Sequence, residues 1–116
     1  MARVKLKRSK YNAKKCVIDG VTFDSLAEGA RYRELRLLEK AGQINCLTVH
    51  PKYFLAVAGK ELGYYEADFN YLENGQSVVE DVKGVFSPLS RWKIKHYEAQ
   101  YNCQVQIIRK RARRAA

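Results

Sequence analysis

Tyr64-Tyr65-Glu66-Ala67-Asp68-Phe69-Asn70-Tyr71, then Glu73-Asn74-Gly75-Gln76, then Ser77-Val78-Val79-Glu80-Asp81-Val82-Lys83-Gly84: these residues decide how the chain folds. Both flanks are rich in aromatic and β-branched residues with period-two alternation, and the Asn-Gly pair between them is a hairpin signal. The pattern predicts one strand over 64–71 and a second that returns beside it. Alternation puts Asp81 and Lys83 on one face of the returning strand and Val82 on the other. Asp68 and Asp81 then converge from adjacent strands. Two converging carboxylates hold a divalent cation, and a neighbouring lysine orients or deprotonates water, which is what phosphodiester cleavage requires. The same residues also read as acids and lysines paired across an ordinary sheet.

On the N-terminal side, Cys16-Val17-Ile18-Asp19-Gly20-Val21-Thr22-Phe23 reads as a short extended pair about an Asp-Gly turn. Ser25-Leu26-Ala27-Glu28 has capping-box form and opens a helix near Ser25 to Ala41, with Leu26, Ala30, Leu37 and Ala41 as its apolar face and Gly42 as its stop. Glu28 lies with Tyr32 and Leu35 on an offset stripe, directed toward the strands. Ile44 to Val49 and Tyr53 to Val57 read as extended, and Ala58-Gly59-Lys60 turns the chain toward the acidic hairpin, giving a sheet of at least three strands. Leu89 to Tyr101 reads as a second helix with Ile94, Tyr97 and Tyr101 on one stripe, and Cys103 to Ile108 as a closing strand.

The chain's 116 residues, 47% of them hydrophobic, suit one domain with its own core. Its three cysteines, Cys16, Cys46 and Cys103, are isolated and fit reduced, buried thiols of a cytosolic protein. No apolar run is long enough for a membrane span, so no membrane partner is expected and the protein reads as soluble and cytoplasmic. Net charge is +10, from 22 Lys+Arg against 12 Asp+Glu. A basic arm over 1–15 carries Arg3, Lys5, Lys7, Arg8 and Lys10, and a basic tail over 109–116 carries Arg109, Lys110, Arg111, Arg113 and Arg114, leaving 16–108 as the folded domain. Such ends attract nucleic acid by counterion release, independently of its sequence; a solubilising tail has the same composition. The glycines stand alone rather than in a phosphate loop, so no nucleotide cofactor is expected. His50 and His96 lack a third nitrogen or sulfur ligand at metal-binding spacing, and the tyrosines and Trp92 read mainly as core.

Taken together, Phe23-Asp24-Ser25 with Glu28 and Arg31-Tyr32, Gly42-Gln43-Ile44, Tyr65-Glu66-Ala67-Asp68-Phe69, Glu80-Asp81-Val82-Lys83-Gly84 and Lys93-Ile94-Lys95 resemble the PD-(D/E)xK nuclease superfamily. Within it the chain is similar to short phage-encoded, resolvase-like endonucleases, over about residues 23 to 108. The resemblance implies a single restriction-endonuclease-like α/β domain, a central mixed β-sheet flanked by helices in the order α-β-β-β-α-β. It implies Mg2+, with Mn2+ as a substitute, held by Asp68, Asp81 and the Val82 carbonyl, with Lys83 positioning the attacking water. Glu28 would complete the acidic cluster or a second metal position, although a helix-capping glutamate looks the same in sequence. The implied partner is DNA, branched or structured as in a four-way junction, cut by a homodimer. Departures from the family pattern are Ala67 where it has proline and an acid, Glu80, before Asp81; Glu80 should face away as a structural or peripheral residue. Lys93 borders the apolar face of the second helix and is the expected phosphate contact there, whereas Lys95 points to solvent. A non-catalytic nucleic-acid-binding module is the competing reading.

Overall fold

The computed structural model describes residues 14–109. Arg3, Lys5, Lys7, Arg8, Lys10, Lys110, Arg111, Arg113 and Arg114 lie outside the described residues. Strands β1 (Cys16–Ile18) and β2 (Val21–Phe23) form the short antiparallel pair expected about Asp19-Gly20. Helix α1 (Leu26–Lys40) follows, its N-cap Ser25 accepting a hydrogen bond from the Glu28 N–H at 3.1 Å. Then come β3 (Asn45–Val49), β4 (Lys52–Val57), β5 (Lys60–Glu66), β6 (Phe69–Glu73), β7 (Gln76–Lys83), α2 (Pro88–Tyr101) and β8 (Val105–Arg109). The four-stranded central sheet has the order β3-β6-β7-β8, and β4-β5 forms a separate hairpin. In the central sheet β3, β6 and β7 pair antiparallel while β8 runs parallel to β7, so the sheet is mixed. The crossover through α2 supplies the length a parallel connection needs.

The acidic hairpin turns at Asn74-Gly75, both with positive φ, 52° and 77°, as an Asn-Gly hairpin loop demands. Its first strand departs from the sequence reading. Residues 64–71 are not one strand: β5 ends at Glu66 and β6 begins at Phe69. The backbone bonds show why. The Ala67 N–H still reaches the β4 side, donating to Pro51 O at 3.0 Å, but the Asp68 N–H donates to Glu80 O at 3.1 Å and the Asp68 carbonyl accepts from His50 N–H at 2.9 Å. The chain changes partners between these two residues, and Asp68 sits in the joint.

Alternation along β7 divides the interior in two. Val79 and, across β8, Val105 pack with Leu55, Tyr65, Ala67, Ile94 and Tyr97 under α2. On the opposite face Phe69 and Tyr71 pack with Phe23, Tyr32, Leu35 and Ile44 under α1, with Val78 and Val82 against them. The helices thus cover opposite faces. The side of α1 that is buried is not the one hydropathy suggests: Leu26 and Leu37 are 58% and 68% exposed, and Ala30 is exposed, while Gly29, Tyr32 and Leu35 are buried. Gly29 explains the choice, because a Cβ there would lie 2.5 Å from Cys16 Sγ and 3.1 Å from Ile18 Cδ1. A second constraint is the buried Glu80, which accepts from two Arg31 nitrogens, Nε at 2.8 Å and Nη2 at 2.7 Å, and from the Tyr71 hydroxyl. Glu80 faces away from Asp81 as alternation requires, and its role is structural: it ties α1 to β7. It is not peripheral, being 1% exposed.

Helix α2 carries a full capping box between Ser87 and Ser90 and ends at Asn102 in the left-handed region. Ile94 and Tyr97 face inward, whereas Tyr101 is partly exposed and donates its hydroxyl to Phe54 O at 2.8 Å. His96 and Gln100 engage Ala56 and Phe54 of β4 as well. The thiols are less hidden than expected; Cys46 is exposed and Cys16 and Cys103 are half-buried. Cys46 lies at the bulge in β3, with φ of 57°, which turns its side chain out of the regular alternation. No helix among the described residues is long and apolar enough to cross a membrane.

Candidate metal centre

Phe69 pairs with Glu80 in the β6-β7 register, so one step back along β6 brings Asp68 opposite Asp81. The two acids on which the sequence reading rests are therefore neighbours. Asp68 is held through its Oδ2, which accepts the Val82 N–H at 2.6 Å. Asp81, 2% exposed, is held by the Tyr65 hydroxyl, which donates to its Oδ2 at 2.6 Å. Lys83 shares the Asp81 face and places Nζ 3.5 Å from Asp81 Oδ1. Val82 turns its side chain into the α1 core, so only its backbone belongs to the site.

Glu28 enters from the first turn of α1, where the helix dipole favours a carboxylate. Its N–H completes the Ser25 cap, while its carboxylate lies with Asp68 and His50, one ligand atom from each residue falling within 4.8 Å of the others. The cap is made by the Ser25 side chain on the Glu28 N–H, and the Glu28 carboxylate lies toward Asp68 and His50. Two donors of one ion, each about 2.0–2.2 Å from it, stand at most about 4.4 Å apart, so this trio is within a small adjustment of enclosing a cation. Among the described residues the group whose donor atoms lie this close together is Glu28, His50 and Asp68; Asp81 adjoins Asp68 outside it, and the carboxylates supply hard oxygen donors of the kind divalent cations take.

The electrostatics carry the mark of uncompensated negative charge. Burial first, then the charges of Asp24 and Asp81, push the Glu28 carboxyl up to about 7, against a hydrogen bond from the Asp24 backbone and, more weakly, the charge of Lys83. Asp68 is raised much further above the carboxylate range, first by burial and then by Asp81 and Glu28. Burial and the adjoining Asp81 also raise the Tyr65 phenol, which stays protonated and keeps donating. A dication here would remove the repulsion that a lone lysine leaves standing.

Basic residues gather at the same end of β7. Arg109 pairs with Lys83 in the β7-β8 register, and its guanidinium lies 5.3 Å from the Phe86 ring, with that of Arg91 at 5.4 Å. Lys93 has its ammonium 5.4 Å from the Tyr64 ring on the β4-β5 hairpin, and among the described residues no ion pair joins it to Glu28, Asp68 or Asp81. Four of the tyrosines, Tyr32, Tyr65, Tyr71 and Tyr97, are core as expected, whereas Trp92 is 49% exposed. His50, which lacks a third nitrogen or sulfur ligand at metal-binding spacing in the sequence, lies beside two carboxylates instead, and Arg91 is a basic neighbour that no motif singles out. The one signal for His50 was its place before Pro51 in a turn; nothing in the linear spacing joins it to Glu28 or Asp68.

A family model described as "Protein of unknown function (DUF1064)" matches residues 8–114. The chain belongs to this family. The match to DUF1064 spans all the described secondary structure and the whole acidic corner. No curated protein and no solved structure matches the chain.

Proposed function

We propose that this DUF1064 member is a metal-dependent endonuclease that hydrolyses phosphodiester bonds in DNA. The observation that carries the reading is the meeting of Asp68, Asp81, Lys83 and Glu28 at one corner of a mixed sheet, each from a different position in the chain. Supporting it, the elements α1, β3, β6, β7, α2 and β8, taken without the two hairpins, run in the α-β-β-β-α-β order of restriction-endonuclease-like domains. A net charge of +10 around a local concentration of acids fits a polyanionic substrate with an internal cation site.

In this reading Asp68 and Asp81 hold Mg2+ or Mn2+ and Glu28 extends the donor set. The ion, when bound, supplies Lewis-acid polarisation and a more acidic water. Tyr65 and the Val82 N–H fix the carboxylates, so their geometry is set before substrate arrives. Lys83 orients the attacking water and offers its charge to the phosphate oxygens as negative charge builds on them. Arg91 and Arg109 bind flanking phosphates, with the basic arm and tail adding affinity without base specificity. Branched DNA and dimeric action follow from the resemblance to resolvase-like proteins.

The test is incubation of the full chain with supercoiled plasmid and a four-way junction in Mg2+, Mn2+ or EDTA, alongside Asp68→Asn and Asp81→Asn. Cleavage should need the metal and be lost in both variants, while DNA binding stays intact or tightens because a carboxylate that repels phosphate is gone. Turnover by either variant at the wild-type rate would sink the assignment. Metal-independent binding without cleavage by the wild type would replace it with the binding-module reading.

A further inference from the structure

His50 is the member of the acidic corner that a nuclease acting on Mg2+ alone does not require. It sits between β3 and β4 with φ of 55°, donates its N–H to the Asp68 carbonyl at 2.9 Å, and sets its ring 5.7 Å from the buried Phe23. The residue is therefore anchored by backbone to the acid beside which its imidazole lies. Among the described residues no hydrogen bond engages the His50 ring, whereas His96, the chain's other histidine, has Nε2 committed to Ala56 O at 3.0 Å. A ring nitrogen, a Glu28 oxygen and an Asp68 oxygen lie within 4.8 Å of one another. The three donors come from α1, the β3-β4 turn and the β5-β6 joint, so the tertiary fold assembles them.

The donor chemistry discriminates between cations. Mg2+ takes oxygen ligands and keeps much of its water, whereas an imidazole nitrogen raises affinity for first-row transition metals. We infer that Glu28, His50 and Asp68 form a mixed nitrogen-oxygen site that takes a transition-metal dication in preference to Mg2+, sharing Asp68 with the Asp68–Asp81 position. This rests on reading the corner as metal-binding and is independent of whether DNA is cleaved. Mn2+ lies lowest in the transition series for such a site, so it is the strictest probe of the preference.

The experiment is pulsed electron paramagnetic resonance on the full chain loaded with Mn2+, reading the echo modulation from a directly bound 14N nucleus, together with Mn2+ and Mg2+ affinities by calorimetry. The wild type should show the modulation and bind Mn2+ more tightly than Mg2+. His50→Gln should lose the modulation and weaken Mn2+ binding by at least about tenfold, the lower end of what loss of even an outer partner costs a metal site, with Mg2+ binding little changed. His96→Gln should keep the modulation. Labelling the wild type with 15N-histidine must change the pattern to that of 15N, a readout that needs no variant to fold. No nitrogen modulation in the wild type, or one that survives in His50→Gln, overturns the inference. A modulation without DNA cleavage supports this site and counts against the nuclease reading; cleavage in Mg2+ with no modulation does the reverse.

Discussion

Arg31→Met tests how firmly the acidic corner is held, because Arg31 stands one turn beyond Glu28 and its partner Glu80 stands next to Asp81. The substitution leaves Glu80, 1% exposed, with a buried carboxylate and the Tyr71 hydroxyl as its remaining side-chain partner among the described residues. Removing one partner of a buried ion pair costs about 3–5 kcal/mol. The Arg31 side chain is 21% exposed, so water screens one side of the pair and the lower value, about 3 kcal/mol, applies. With an unfolding entropy of about 2.1 cal/mol/K per residue, a chain of 116 residues should then lose roughly 12 °C in Tm. Scanning calorimetry in EDTA at neutral pH measures this without contribution from bound metal. The apolar triple variant Arg31→Met/Glu80→Leu/Tyr71→Phe removes all three polar partners together and should recover most of the loss, since replacing a buried pair by packed hydrophobic groups is often neutral. A fall of less than about 3 °C for Arg31→Met, under about 1 kcal/mol by the same entropy, would refute the reasoning and reduce the pair to a surface contact.

Lys83→Ala should lower the single-turnover cleavage rate on saturating DNA by about 100-fold, the scale of losing one preorganised electrostatic group, with the exposed Lys95→Ala as a control that leaves it unchanged. Without metal, stability should fall as pH rises from about 4 to 9: the folded pKa is raised from 4.5 to about 7 for Glu28 and from 3.8 to about 9 for Asp68, so the protonated forms favour the folded state at low pH and that contribution is lost as pH passes through these values. Glu28→Gln should reduce this slope in thermal melts and leave the Asp68 part, and added Mn2+ should reverse it in the wild type. Gly29→Ala should destabilise by about 1–2 kcal/mol, the overpacking cost against Cys16 exceeding the helix propensity gained; urea titration of the single variant and of Gly29→Ala/Cys16→Ala, which should regain stability, checks the contact.

Local signals carried much of the architecture. Asp19-Gly20 and Asn74-Gly75 specified their turns because few residue pairs adopt positive φ easily, Ser25 specified where α1 begins, and alternation along β7 separated Asp81 and Lys83 from Glu80 and Val82. From these the neighbouring Asp68 and Asp81 were legible, as was the proximity of Lys83. Three features were decided only by tertiary structure. The inward side of α1 depends on the close approach of Cys16 to Gly29 and on the Glu80 carboxylate reaching Arg31, both contacts with distant segments, and these outweigh the apolar Leu26 and Leu37. The break between β5 and β6 depends on which backbone partners are available at Ala67 and Asp68, and residues 64–71 alternate without interruption in sequence. His50 reaches Glu28 and Asp68 only because β3 pairs with β6 while the β4-β5 hairpin folds away from the central sheet. Periodicity records which side of an element a residue occupies, but the meeting of three donors 22 and 18 residues apart along the chain (28 to 50 and 50 to 68) is fixed by strand pairing, which no local pattern encodes.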